Sequence, residues 1–251
     1  MAPPLTTGID LTIVVPCLNE QENIEPILAA LCNTLSKVSF TYEIVVVDDQ
    51  SDDLTLEVAS KFAEKVRDQT LIRVVRRPLH RRGYGAVVRY GIAHGMGKYC
   101  TMVSADGVDP IHHLPEFYER MVAGASLVQC SRYLSPSDAE TIPFKYKFYQ
   151  FFFRLFLRMV MGVAIRDSTY AFKMFNRCEM LAVGMKQNRF SVSPEITLKV
   201  LLMGGKVDFV AAGQGIRQRG VSKFKFYKES FGYIYILVRA WLHRTGVAYW
   251  F

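Results

Sequence analysis

With 251 residues, half of them apolar, the chain is long enough for one sizeable domain with its own core. No segment is low in complexity, which excludes a disordered or fibrous chain beyond a short tail at Met1–Gly8. Lys and Arg outnumber Asp and Glu by 31 to 23, and the net charge of +8 favours an anionic partner: nucleic acid, a phosphorylated substrate or an anionic leaflet.

Leu11–Val15 is a β-branched apolar run that predicts a first strand, and Asn23–Leu35 repeats apolar residues at helical spacing. Tyr42–Val47 predicts a second buried strand, Leu54–Ala63 a helix, and Leu71–Val75 a third strand. A helix at Ala86–His94, a fourth strand at Tyr99–Val103, an amphipathic segment at Leu114–Val122 and a fifth strand at Ser126–Cys130 complete the first half. In the second half the aromatic segment Phe148–Ile165 carries Arg154 and Arg158, Tyr170–Phe175 predicts a strand and Pro194–Met203 a helix. Lys206–Val210 predicts a short strand, and Phe224–Leu242 a basic, aromatic helix. Continuous apolar strands joined by helices imply an α/β fold whose mainly parallel sheet has helices on both faces. With no linker and no repeat, residues 1–225 read as one domain and residues 226–251 as a C-terminal extension.

Five scattered cysteines with no CxxC pair point to reduced, mostly interior thiols of a cytosolic compartment. The start, Met-Ala-Pro-Pro-Leu-Thr-Thr, lacks the basic and apolar regions of a signal peptide.

Ligands of open α/β sheets lie beyond the carboxyl ends of the strands. Acids concentrate at three such ends: Asn19-Glu20, Asp48-Asp49 with Asp52, and Asp106 with Asp109. Carboxylates there can accept hydrogen bonds from a base or ribose, or hold a divalent ion that bridges phosphates. Any one of them could instead cap a helix, as Asp52 or Asp53 could before Leu54. Three acidic loops at one sheet edge are much harder to explain as caps alone. A bare Gly-x-Gly at Gly83–Gly85 does not follow a first strand, so a dinucleotide fingerprint is not indicated.

Val15-Pro16-Cys17-Leu18-Asn19-Glu20, followed by Val47-Asp48-Asp49-Gln50-Ser51-Asp52-Asp53, resembles the opening of inverting glycosyltransferases of family two, which have the GT-A (Rossmann-like) fold. The resemblance continues through Gly83-Tyr84-Gly85, Arg89, Gly91 and Gly97 into Ser104-Ala105-Asp106. Later elements are Ser131-Arg132-Tyr133, Asp167-Ser168-Thr169 with Phe172, Glu195, and Arg217-x-x-Gly220-x-Ser222-Lys223. These are similar to the branch of dolichol-phosphate mannose synthase and its bacterial polyprenyl-phosphate relatives. The resemblance implies inverting transfer of a sugar from a nucleoside-diphosphate-sugar to a polyprenyl phosphate. A hydroxyl acceptor on a glycan or glycolipid, and a non-catalytic nucleotide-sugar binder, are the alternatives.

It also implies roles. Pro16, Asn19, Glu20, Asp48, Asp49 and Ser51 would hold the base and ribose. Gly83, Gly85, Arg89, Ser104 and Ala105 would complete the donor contacts. Asp106 would reach a metal–diphosphate and, with Asp167, supplies the candidate catalytic carboxylates. Arg132, Arg217, Ser222 and Lys223 would bind acceptor or donor phosphates, for which guanidinium geometry is suited.

The family's metal motif is Asp-x-Asp with Gln two residues later, whereas this chain has Ser104, Asp106 and Val108. A hard cation can still be held by one carboxylate together with phosphate oxygens, so Mg²⁺ or Mn²⁺ is expected with a reduced ligand set. His112 and His113 are adjacent and point apart on a helix, which suits a surface helix start better than a zinc site.

Phe148–Ile165 has the length of a membrane span, but Arg154 and Arg158 lie on one helical face, which would be costly at mid-bilayer. An amphipathic helix in the interface of an anionic membrane is expected, as for Phe231–Val238 with its flanking Lys225, Lys228, Arg239 and Arg244. A core helix or a contact between copies of the chain is the alternative for both. The expected location is peripheral, on the cytoplasmic side of a membrane. No nucleic-acid recognition motif accompanies the basic residues, so nucleic acid is not an expected partner.

Overall fold

In the computed structural model, which describes residues 8–78, 82–131, 144–162, 165, 167, 169–211 and 226–251, the run Leu11–Cys17 forms an inner strand, β1, of a seven-stranded sheet. The elements that follow are α1 (Ile24–Leu35), β2 (Tyr42–Asp48), α2 (Thr55–Val66), β3 (Leu71–Arg76), α3 (Tyr84–His94) and β4 (Tyr99–Met102). After a 3₁₀ turn at Ile111–His113 come α4 (Leu114–Val122), β5 (Leu127–Ser131) and α5 (Phe144–Met161). The chain continues with β6 (Lys173–Asn176), α6 (Arg177–Val183), α7 (Val192–Leu202), β7 (Val207–Ala211) and α8 (Phe226–Arg244).

The strand order is β3-β2-β1-β4-β6-β5-β7, and only β6 runs antiparallel to its neighbours. Side chains alternate along each strand, so the apolar runs supply both faces. Leu11, Ile13 and Val15 face α1, α2 and α4 in one buried cluster, while Val14, Val45 and Val47 face α3, α6 and α7 in another. The mainly parallel sheet with helices on both faces is therefore as expected.

Two local expectations are corrected. The segment Tyr170–Phe175 is core, but the ladder comprises only Lys173–Asn176, where backbone pairing to both β4 and β5 begins. The helix Arg177–Val183 was not expected. It starts at Asn176, whose side chain accepts the Glu179 N–H at 3.2 Å, an N-cap with an acid at the third position.

A third cluster joins α5 and α8 to α7 through Leu157, Val160, Leu198, Ile236, Leu237 and Trp250. The opposite side of these two helices is bare: Phe151, Phe152, Leu155 and Met159 on α5, and Phe231, Ile234, Val238 and Trp241 on α8, are all exposed. Full burial of such a side chain contributes about 1.5–3 kcal/mol, and these are 44–81% exposed, so each forgoes roughly half or more of that and the face is costly without a cover. Among the described residues, no helix is long and apolar enough to cross a membrane.

Candidate active site

The loops after β1 and β2 are cross-braced by their own polar side chains. Ser51 Oγ accepts the Asn19 N–H at 2.9 Å, Asn19 Oδ1 accepts the Asp52 N–H at 2.9 Å, and Thr55 Oγ1 accepts the Glu20 N–H at 2.8 Å. Asn19 and Gln50 adopt left-handed φ angles of 51° and 63°, which turn both loops sharply at the sheet edge. Pro16 sits in β1 opposite Val47, and the buried Glu20 carboxylate accepts from Asn23 Nδ2 at 2.7 Å.

Asp48 and Asp49 diverge from one strand end. Asp48 is fully buried, accepts the Ser51 N–H at 3.2 Å and lies 3.3 Å from Arg76 Nε. Arg76 is its register partner on β3, so the pair follows directly from strand pairing. Asp49 meets Arg77: Nε lies 2.8 Å from Oδ1, Nη2 binds the same oxygen, and the two residues are 5% and 3% exposed. Its other oxygen accepts the Gly83 N–H at 3.2 Å. Asp49 therefore ties β2 to the turn that opens α3.

That turn is wedged against the segment before α7. A Cβ on Gly83 or Gly85 would collide with the Asn188 and Gln187 carbonyls, so only glycine admits this approach. Gly85 N donates to Asn188 O at 3.0 Å. Arg89 binds Gln187 O and Asn188 Oδ1, and burial lowers its pKa. The structure thus places Arg89 on this segment. Glu195, fully buried, accepts the Lys186 and Gln187 N–H groups at 2.8 Å each and lies 3.3 Å from Lys199 Nζ. Between the glycines, the Tyr84 ring stacks on Phe190 at 4.9 Å. Burial raises the pKa of its hydroxyl, and the charges of Asp109 and Asp106 raise it further. The turn thus stands between the second and third acidic loops.

In the third loop, Asp106 is half-buried and accepts the Val108 N–H at 3.4 Å. Asp109 is buried beside it and accepts the Ser104 N–H at 2.7 Å. Burial, with a smaller contribution from the Asp106 charge, lifts the Asp109 carboxyl from 3.8 to about 6. A raised acid favours the folded state most when protonated, so this stabilisation is complete below 3.8 and lost as pH rises through about 6. Asp109→Asn, which keeps an acceptor for Ser104, is therefore expected to gain up to about 3 kcal/mol over the native chain at pH 7.5. That gain should shrink as pH falls from 6 towards 3.8; urea melts at pH 4, 5 and 7.5 measure it.

Asp167 precedes β6 and is fully buried, with its carboxylate accepting the Thr169 N–H at 3.2 Å and hydroxyl at 3.1 Å. Because β6 pairs antiparallel with β4, this segment lies at the same sheet edge as Ser104 and Ala105. The expected phosphate ligands Arg132, Arg217, Ser222 and Lys223 lie outside the described residues.

Among the described residues, no group of three or more His, Cys, Asp or Glu is placed to hold a cation unaided. Asp106 and Asp109, like-charged neighbours at a strand end, suit a hard cation that draws its other ligands from a diphosphate and water. His113 Nδ1 is 3.0 Å from Glu116 Oε2 within its own turn, in keeping with a structural role. Arg77 is a component that the sequence pattern did not single out; Tyr84 and Asp109 stood in the quoted motifs, and the fold adds the stacking of one and the burial of the other. For Arg77 the signal was available: one arginine ends a strand and a second follows it, beside a strand where two aspartates stand in the same places.

Several known proteins are similar to this chain. The chain is 29% identical to a dolichol-phosphate mannosyltransferase of Pyrococcus furiosus over 219 residues, 86% of this chain and 59% of that protein. It is 27% identical to a dolichyl-phosphate beta-glucosyltransferase of Dictyostelium discoideum over 181 residues, 68% of this chain and 55% of that protein. The chain thus spans rather more than half the length of these relatives. Glucosyl-3-phosphoglycerate synthase of Mycobacterium tuberculosis, solved with Mn²⁺, UDP and glucosyl-3-phosphoglycerate, shares the fold at a TM-score of 0.66. That match has 19% identity and covers 97% of this chain and 82% of the synthase. The model of glycosyl transferase family 2 matches residues 12–180, from the first residues of β1 into α6, and the chain belongs to that family.

Proposed function

We propose that the protein moves a sugar from a nucleoside-diphosphate-sugar to a polyprenyl phosphate at a membrane surface. The observation that carries this reading is the set of three pre-braced acidic loops on one sheet edge, in a chain that also exposes apolar side chains on α5 and α8. The relatives named as dolichyl-phosphate mannosyl- and glucosyltransferases support the acceptor class.

In this reading Pro16, Asn19, Glu20, Asp49 and Ser51 bind the nucleoside, the fully buried Asp48 holds their loop through Ser51 and Arg76, and the Gly83–Gly85 turn brings backbone close to the donor. Arg89 supports that turn through segment 187–188, and Ser104 and Ala105 line the diphosphate. Asp106 would hold Mg²⁺ or Mn²⁺, which when bound stabilises the charge developing on the nucleoside diphosphate. The acceptor phosphate attacks the anomeric carbon from the opposite side and inverts it. That oxygen is already anionic and needs no strong base, so Asp167, engaged by Thr169, serves to shape the edge. Arg132, Arg217, Ser222 and Lys223 would meet the phosphates. Residues 1–225 carry the transfer, and residues 226–251 help seat the protein on the cytoplasmic leaflet.

The test is incubation with UDP-glucose or GDP-mannose, Mn²⁺, and anionic vesicles containing dolichyl or undecaprenyl phosphate. A vesicle-bound sugar released by mild acid is the expected product. An acid-stable product would assign a hydroxyl acceptor instead, and nucleotide binding without turnover of either donor would remove catalysis from the reading.

A further inference from the structure

The C-terminal helix α8 reaches towards the candidate donor turn through one buried carboxylate. Glu229, in its first turn, is 4% exposed; Oε2 accepts the Phe190 N–H at 3.1 Å and Oε1 lies 3.7 Å from Arg189 Nη1. One helical turn on, Gly232 approaches Ser191 so closely that a Cβ would meet Ser191 Oγ at 2.6 Å. Both contacts fix the segment whose other side is the Gly83–Gly85 turn. There Gly85 N donates to Asn188 O, Arg89 grips Gln187 and Asn188, and Phe190 stacks on Tyr84. Gly83 N closes the series on Asp49.

A carboxylate at this place needs explanation. Burial disfavours its charged form and raises its pKa, so a packing role alone would be better served by an apolar side chain. An acceptor aimed at one backbone N–H instead fixes the direction of that backbone. The second brace of the segment, Glu195, comes from α7 within the core, whereas Glu229 comes from the helix with the bare apolar face.

We propose that Glu229 is a positioning residue of the donor site: it holds segment 187–191, and through it the Gly83–Gly85 turn beside Asp49, so donor binding depends on how the C-terminal helix is seated. This rests on the assignment of that turn to the donor. Without the brace the turn samples open conformations, and binding must first restore the competent one, which raises the donor KM and leaves the bound complex unchanged.

The test compares full-chain Glu229→Ala, Glu229→Gln and Phe190→Leu with the native protein by amide hydrogen exchange and donor kinetics. Glu229→Ala and Phe190→Leu are expected to speed exchange at residues 83–87 while residues 44–47 of β2 stay protected. Glu229→Gln, which keeps an oxygen acceptor, should resemble the native chain. The KM for UDP-glucose or GDP-mannose should rise about tenfold in Glu229→Ala with kcat within about twofold. Unchanged exchange at 83–87, or an equal rise throughout the chain, overturns the coupling. Faster exchange at 83–87 with an unchanged donor KM overturns the role in donor binding. If the native chain turns over neither donor, the transfer reading fails, while the exchange pattern still decides the coupling.

Discussion

Asp106→Asn is expected to lower kcat for sugar transfer by about 100- to 1,000-fold, the range observed when one preorganised electrostatic group is lost from a transition state. The fold should tolerate it, because an amide oxygen can still accept the Val108 N–H that the carboxylate accepts at 3.4 Å. Melting temperature should stay within about 2 °C of the native value, since no unpartnered buried charge is created. Asp109 is then the carboxylate of that loop left beside the cation, since Ser104 and Val108 supply none. Steady-state transfer assays across a Mn²⁺ titration measure the fall in kcat. Undiminished kcat at saturating Mn²⁺ would remove Asp106 from the role assigned to it.

Arg77→Met is expected to have the largest effect on stability. It leaves Asp49 buried without the guanidinium that binds it, and breaking a buried pair by removing one partner costs about 3–5 kcal/mol. For a chain of this size that corresponds to a fall in melting temperature of roughly 6–20 °C. The double variant Arg77→Met with Asp49→Asn removes both charges and should recover much of the loss, because desolvated ion pairs contribute little net stability over neutral packing. It should not recover nucleotide affinity, since Asp49 would no longer present a carboxylate to the donor or a charged acceptor to Gly83 N. Urea unfolding of the singles and the double, with UDP and GDP titrations, completes the cycle. Equal stability of Arg77→Met and the native chain would show that the pair lies open to water.

Each acid was visible from its position after an apolar run, because a β-branched strand followed by polar turn residues marks a strand end from composition alone. What each acid does at that edge depends on partners distant in sequence. Asp48 and Asp49 are adjacent, yet one turns to Arg76 and the turn at Ser51, and the other to Arg77 and Gly83. Asp109, which precedes a proline and so suits a simple turn, instead lies buried with its carboxylate on the Ser104 N–H. Arg89 is expected from the resemblance among the donor contacts, but its guanidinium is taken up nearly one hundred residues along the chain, at Gln187 and Asn188.

The same division holds for the secondary structure. Long periodic segments such as α1 and α4 were legible because one stripe of apolar residues must be buried whatever the neighbours are. The short α6 was missed because seven residues carry too little periodicity, although the Asn-x-x-Glu cap marked its start. The strand β6 was placed too early because Tyr170 and Phe172 are as apolar as any ladder residue. Only pairing with β4 and β5 selects Lys173–Asn176.

The amino-acid sequence by itself determined the parallel α/β plan, the acidic strand ends and the two aromatic helices that avoid a membrane-spanning composition. Those properties follow from local hydrophobic pattern and charge, which each segment carries with it. Only the tertiary structure decided the antiparallel insertion of β6, the burial of Arg77 against Asp49, and the bracing of the Gly83–Gly85 turn from Glu195 and Glu229. Those are contacts between residues far apart in the chain, formed where backbone groups and charges left unpaired by one element are satisfied by another.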